Sequence, residues 1–228
     1  MIDVERRDPI ALTTLYAMII LGAAALVAFG FLAYAVVHGR ALSSVDLRVF
    51  TSCRGTVTGT AAAERFWVLV SLSGSPVSMT LVAVLGALWL GWQRRIQMLV
   101  WWTTAFAGTS LFVIVLKRTI HRARPEDAEL FLHGASLSFP SGHSAGAAVG
   151  FGMLTYLLVQ YRVKDDIHRT CVVVIAGVIV GLVAYSRLCL GVHYTSDVIA
   201  GLLLGAVWLI VGVTANELTH RQRVRDCA

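Results

Sequence analysis

Charge is scarce in this chain. Of 228 residues only 14% are Asp, Glu, Lys or Arg, against about 25% in an ordinary soluble domain. That shortage excludes a disordered, highly charged chain and argues against a standard water-soluble globule. Proline is limited to four residues, and no Gly-, Ser- or Pro-rich linker interrupts the sequence, so residues 1–228 are expected to form one domain. Cysteine is equally sparse. Cys53, Cys171, Cys189 and Cys227 offer no metal-ligand spacing and no disulfide framework, and they are expected to be packing residues. What the chain has in abundance is apolar surface, 57% of residues with a mean hydropathy of +0.74. The expected class is all-α, a polytopic membrane helix bundle.

The apolar blocks fall near 11–37, 76–92, 96–117, 143–160, 170–189 and 196–213. About 20 apolar residues span the ~30 Å hydrocarbon layer, so six transmembrane helices are expected. The first block exceeds the ~7–15 residues of a signal-peptide core and reads as a retained helix. The second block extends back toward Phe66–Val70, with Gly74 and Pro76 as the expected break. Residues Ser44–Phe50 read as a short interfacial helix. Trp67, Trp89, Trp92, Trp101, Trp102 and Trp208 are expected to form an aromatic belt. Small residues repeat every four positions at Gly142/Gly146/Gly150, Gly177/Gly181 and Gly201/Gly205, a spacing that lets membrane helices pack closely.

Nineteen basic against 13 acidic residues leave a net charge of +6. The basic residues sit in short runs between apolar blocks and form no clustered face, so membrane topology and an anionic ligand explain them better than nucleic acid. With a cytoplasmic N-terminus, ten basic residues fall inside, Arg6, Arg7 and Lys164 among them. Nine fall outside, and six remain there once Lys117, Arg124 and Arg187 are set aside as ligand-binding. Both termini are therefore expected in the cytoplasm.

Three polar clusters lie at the ends of apolar blocks. In the first, Lys117 and Arg124 stand about two helical turns apart, with Pro125 ending the turn. A planar guanidinium fork and a compact ammonium suit a phosphate, although a snorkelling basic collar would look the same. In the second, Ser138-Phe139-Pro140-Ser141-Gly142-His143 reads as a helix start. Its free N–H groups favour an anion, Gly142 permits close approach and His143 stands over the ligand; the plain alternative is an N-cap with an interfacial histidine. In the third, Arg187 precedes His193 and Asp197, four apart and so neighbours on one face if helical. A carboxylate there fixes the imidazole tautomer; the alternative is a structural His–Asp pair. Parity joins the three. Two share the loop between the third and fourth helices, and the last lies two crossings later, so all face one side of the membrane. Ionisable groups at that depth are costly and usually functional.

Together these clusters resemble the signature of the type-2 phosphatidic acid phosphatase superfamily: Lys117-x6-Arg124-Pro125, Pro140-Ser141-Gly142-His143, and Ser186-Arg187-x5-His193-x3-Asp197. The resemblance implies a cofactor-free, metal-independent phosphatase. In it His193 is the nucleophile that forms a phosphohistidine, Asp197 orients it and His143 protonates the leaving oxygen. Lys117, Arg124, Ser141, Gly142 and Arg187 are the implied phosphate ligands. Three cations plus backbone amides would neutralise charge without Mg²⁺. Glu126, Asp127 and Glu129 read as loop charge near the site. The superfamily also holds soluble acid phosphatases and vanadium haloperoxidases, but the apolar helices point to its lipid-phosphatase branch. The implied partners are membrane lipids and a lipid phosphate: phosphatidic acid, phosphatidylglycerophosphate, diacylglycerol pyrophosphate or undecaprenyl pyrophosphate. The expected location is the bacterial cytoplasmic membrane with the site facing the periplasm. The rival from another class is a non-enzymatic transporter or lipid-phosphate-binding protein, for which two histidines and an orienting carboxylate would be superfluous.

Overall fold

The computed structural model describes residues 10–39, 42–55, 61–125, 137–163 and 165–226. Arg6, Arg7, Arg40, Lys164 and Cys227 lie outside the described residues, as do Glu126, Asp127 and Glu129, so the expectations resting on them are not addressed by it. The described residues form eight helices and no strand: α1 (Leu12–Val37), α2 (Leu42–Gly55), α3 (Ala61–Ser73), α4 (Pro76–Trp92), α5 (Ile96–Ile120), α6 (Gly142–Tyr161), α7 (Asp166–Cys189) and α8 (Thr195–Asp226).

Six stretches are long and apolar enough to cross a membrane, with α3 and α4 counting as one span, Ala61–Trp92. The outer faces confirm where those helices sit. Val27 is 73% exposed, Val77 80% and Trp92 80%, a breadth of exposed apolar surface that only lipid covers comfortably. The chain is a multi-pass integral membrane protein.

The α3–α4 break falls where glycine and proline place it. Ser75 caps α4 by accepting from the Ser78 amide at 3.1 Å, and Pro76 occupies the first helical position, where its missing N–H costs nothing. Gly74 faces Val183 of α7 so closely that a Cβ would collide with it.

The inner helices are α6 and α8, which share the most extensive helix–helix contact; α1, α5 and α7 also pack on α8. The seam is built on glycine. A Cβ on Gly201 would overlap the Ser141 carbonyl oxygen, and one on Gly205 would come 2.5 Å from Ala145 O. The Gly177/Gly181 pair is different: nothing lies within 4 Å of a Cβ at either, so those glycines face outward and make no close helix contact. The aromatic belt is likewise incomplete. Trp102 is 1% exposed and donates its indole N–H to Ala83 O at 2.9 Å, and Trp208 packs on Phe112 within the bundle. Of the cysteines, Cys53 and Cys189 are buried as expected, whereas Cys171 is exposed.

At 32 residues α8 is about 48 Å long and outruns the bilayer, which explains its polar Glu217–Asp226 extension. A helix is present at 44–50, where one was expected, and it is longer, as α2.

Candidate active site

The site lies where α5 ends, α6 begins and the α7–α8 turn returns to the same end of the bundle. α5 stops at Ile120 because His121 turns left-handed, φ 52°, its amide donating to Lys117 O at 3.1 Å. The helix therefore ends sooner than expected, before Arg124. Lys117 leaves from the last turn and Arg124 from a non-helical segment, so they do not share a helix face. Both are nevertheless delivered to the site. Lys117 Nζ donates to Leu137 O, and Arg124 Nη1 donates to Val192 O at 2.7 Å and lies 3.2 Å from His193 Nε2.

α6 begins as expected. Ser141 is the N-cap, its Oγ accepting from Ser144 N at 3.4 Å and Ser144 Oγ at 3.0 Å. The Ser141 amide donates to Asp197 O at 2.9 Å, a main-chain clasp between the second and third clusters. Gly142 and His143 open the helix behind this cap. His143 is within electrostatic reach of Arg187, His193, Arg124 and Lys117.

His193 and Asp197 do not share a helix, since α8 starts only at Thr195. They meet across its start: His193 Nδ1 lies 3.5 Å from Asp197 Oδ2, and Asp197 Oδ2 accepts the Tyr194 amide at 2.9 Å. Both side chains are buried, 1% and 0% exposed. Burial pushes the His193 imidazole down to about 3; Asp197 pulls it upward but is outweighed, and Arg124 and Arg187 add to the fall. With Arg124 donating toward Nε2, the ring is neutral, its Nδ1 hydrogen toward Asp197 and its Nε2 lone pair toward the cations.

Arg187 is 5% exposed and donates Nη1 to Ser71 Oγ of α3, while its Nε is buried with no partner among the described residues. Neither Lys117 nor Arg187 forms an ion pair among the described residues. Cations sequestered from water without a counter-ion are costly, and this arrangement suits an anion that completes it.

Two contributors escaped the sequence analysis. Arg122 donates to Asp197 Oδ1 at 2.6 Å and to Asp46 Oδ2 at 2.8 Å, and it stacks 4.3 Å over the Tyr194 ring. Asp46 of α2, 2% exposed, also accepts from Ser196 N at 2.9 Å and Ser196 Oγ at 2.6 Å. Burial works against the Arg122 charge, but Asp197 and Asp46 outweigh it and hold its pKa above the ordinary value. Asp197 thus has Arg122 on one oxygen and His193 on the other. Arg122 lies between Lys117 and Arg124 in the first basic cluster, but Asp46 is a lone carboxylate in a short mixed helix and gave no local signal.

A 480 Å³ groove leaves the site along α4, α5 and α6. Gly74, Val113 and Gly142 line its upper end; Ala87 and Trp102 line its lower end. Between Pro76 and Ala87 it descends about 16 Å. Its lining is mostly apolar, with hydroxyls from Thr80, Thr103, Thr109 and Ser110.

The sequence matches the PAP2 superfamily over residues 98–220. It is 35% identical over 161 residues to phosphatidylglycerophosphatase B of Bacillus subtilis, covering 68% of this chain and 76% of that protein. It is 33% identical over 156 residues to decaprenylphosphoryl-5-phosphoribose phosphatase of Mycobacterium tuberculosis, covering 65% of this chain and 76% of that protein. The crystal structure of a transmembrane PAP2-type phosphatidylglycerolphosphate phosphatase from Bacillus subtilis superposes with a TM-score of 0.73 at 29% identity, over 84% of this chain and 93% of that one.

Proposed function

The chain belongs to the PAP2 superfamily and is a membrane phosphatase, and from that premise we propose that it hydrolyses the phosphomonoester or pyrophosphate group of a lipid phosphate through a phosphohistidine on His193. The observation that carries this is the junction of two environments: cations gathered around a buried His–Asp pair, and an apolar groove opening from Gly142 toward the bilayer interior.

Lys117, Arg124 and Arg187, with the Ser141 and Gly142 end of α6, hold the phosphoryl oxygens. His193 Nε2, neutral because it is buried, attacks phosphorus as the P–O bond to the lipid breaks. His143 gives its proton to the leaving oxygen. The arriving anion offsets the cations around His143, which lets that ring carry the proton it delivers. Asp197 turns Nδ1–H of His193 toward itself and balances the charge that grows on the ring; their 3.5 Å separation shortens as that charge appears. Water then attacks the phosphohistidine, His143 takes its proton, inorganic phosphate leaves and the imidazole is regenerated. The lipid tail stays in the groove throughout, so the substrate never leaves the membrane. With both termini in the cytoplasm, the site faces the periplasm of a bacterial inner membrane.

Phosphatidic acid, phosphatidylglycerophosphate, diacylglycerol pyrophosphate and undecaprenyl pyrophosphate all fit this description. A phosphate-release panel with purified protein in lipid nanodiscs ranks them. His193→Ala eliminates release while the protein still inserts and unfolds cooperatively, and wild type quenched during turnover yields labelled phosphohistidine. Turnover retained in His193→Ala refutes the nucleophile. Absence of a labelled adduct, together with substrate flux across sealed vesicles, would establish a transporter instead.

A further inference from the structure

The opposite end of the bundle carries a second cationic pocket that the chemistry above does not use. It is a 150 Å³ cavity between the α4–α5 turn and the polar end of α8, lined by Arg94, Arg95, Gln97, His220 and Arg223, with Tyr161 of α6 as its wall. Among the described residues no carboxylate lines it. Glu217 of α8, next to the lining residue Asn216, is turned to the Tyr156 hydroxyl, to Gln160 and to the Ile10 amide.

Several features make it a site for an anion. The 25-residue α5 starts at its floor, and the N-cap residue Arg95 makes no side-chain cap to the leading amides, so the positive end of that helix opens into the cavity. The Arg95 guanidinium is fixed 3.7 Å over the Tyr161 ring. Its Nη1 is buried with no hydrogen-bond partner among the described residues, an arrangement that costs stability unless a ligand completes it. Arg94 holds a left-handed backbone, φ 55°, beside it, a conformation uncommon outside glycine. The level is that of lipid head groups: Trp89 and the exposed Trp92 close α4 immediately before the pocket. Basic pockets between membrane helices at this depth suit anionic head groups.

We propose that this pocket binds the phosphate of a net-anionic lipid in the leaflet opposite the active site, anchoring the α4–α5 turn to the α8 extension. The site differs from the catalytic one in its residues, its face of the membrane and its lack of a nucleophile pair. Its ligand is held and not consumed.

The full chain is reconstituted in nanodiscs of phosphatidylglycerol or of phosphatidylcholine and examined by native mass spectrometry, with inorganic phosphate tested separately by thermal shift. Wild type retains one phosphatidylglycerol that Arg95→Gln/Arg223→Gln loses at least tenfold. Arg223→Gln alone, at an exposed position, loses it several-fold and guards against a folding artefact from Arg95. Lys117→Gln, at the other end, retains it. A saturable stabilisation by inorganic phosphate, lost in the same variants, assigns the phosphate to a free source and keeps the site. Equal retention by wild type and both pocket variants, with no phosphate effect that depends on them, overturns the proposal.

Discussion

The α6–α8 seam offers a decisive test, because it sets the distance between the two halves of the candidate active site. Gly201 lies one helical turn beyond Asp197 and faces the Ser141 carbonyl with no room for a Cβ. The neighbouring contact gives the scale: a Cβ on Gly205 would sit 2.5 Å from Ala145 O, so reaching ordinary C···O contact of about 3.3 Å moves the helices apart by about 0.8 Å. Gly201→Ala demands at least that much at the turn bearing the chemistry. Overpacking of this kind costs about 1–3 kcal/mol, which leaves a folded protein. An ångström of misplacement between catalytic groups costs about 10²-fold in rate. Gly201→Ala is therefore expected to unfold at a modestly lower temperature and to release phosphate from a lipid phosphate about a hundred-fold more slowly. Gly181→Ala is the control, since nothing lies within 4 Å of its Cβ; alanine there favours the helix by up to about 1 kcal/mol. Wild-type turnover in Gly201→Ala, or an equal loss in Gly181→Ala, refutes the seam as the element that registers the site.

Other expectations follow from the same geometry. Asp46→Asn removes one of two carboxylates from Arg122 and replaces the oxygen that accepts from Arg122 and Ser196 Oγ by an NH2, leaving one oxygen to accept from Ser196 N. The loss is about 2 kcal/mol, short of the roughly 3–5 for a fully buried pair, because Arg122 keeps Asp197 and some solvent contact. kcat falls more than KM rises, as the clamp on Asp197 loosens; unchanged unfolding and unchanged kcat exclude this role. Stability in detergent falls as pH drops below about 6.5, where an unfolded histidine gains a proton that buried His193 refuses until about 3. The unfolded state binds the extra proton in that window, so this contribution is complete above it. The wild-type slope of unfolding temperature against pH is steeper than that of His193→Gln, and equal slopes contradict the buried neutral imidazole. Phosphate release persists in excess EDTA, because Lys117, Arg124 and Arg187 supply the charge neutralisation; strict dependence on added Mg²⁺ counts against the mechanism.

The fold was legible wherever the signal was local. Six apolar runs, the Gly74–Pro76 break and the capped start of α6 each depend on a few adjacent residues. The three clusters could be placed on one side because counting crossings needs no tertiary detail. What escaped depends on contacts between remote segments. Asp46 meets Ser196 across 150 positions and Arg187 meets Ser71 across 116, and no periodicity announces either. The glycine spacing at 177/181 matches that at 201/205, yet only the second pair meets another helix; repetition marks permission to pack and says nothing about which face does. Trp102 sits near the start of α5 and still turns inward, because the Ala83 carbonyl on α4 is there to take its N–H.

The bond from the Ser141 amide to the Asp197 carbonyl joins two main-chain atoms. No exchange of one side chain for another deletes it, apart from proline at position 141, which carries no hydrogen to donate. Drift can therefore rewrite the lipid-facing surfaces of both helices, and with them tail preference, while their alignment is inherited unchanged. A device of this kind leaves no identity for an alignment column to record, and for the same reason point mutation can scarcely erode it.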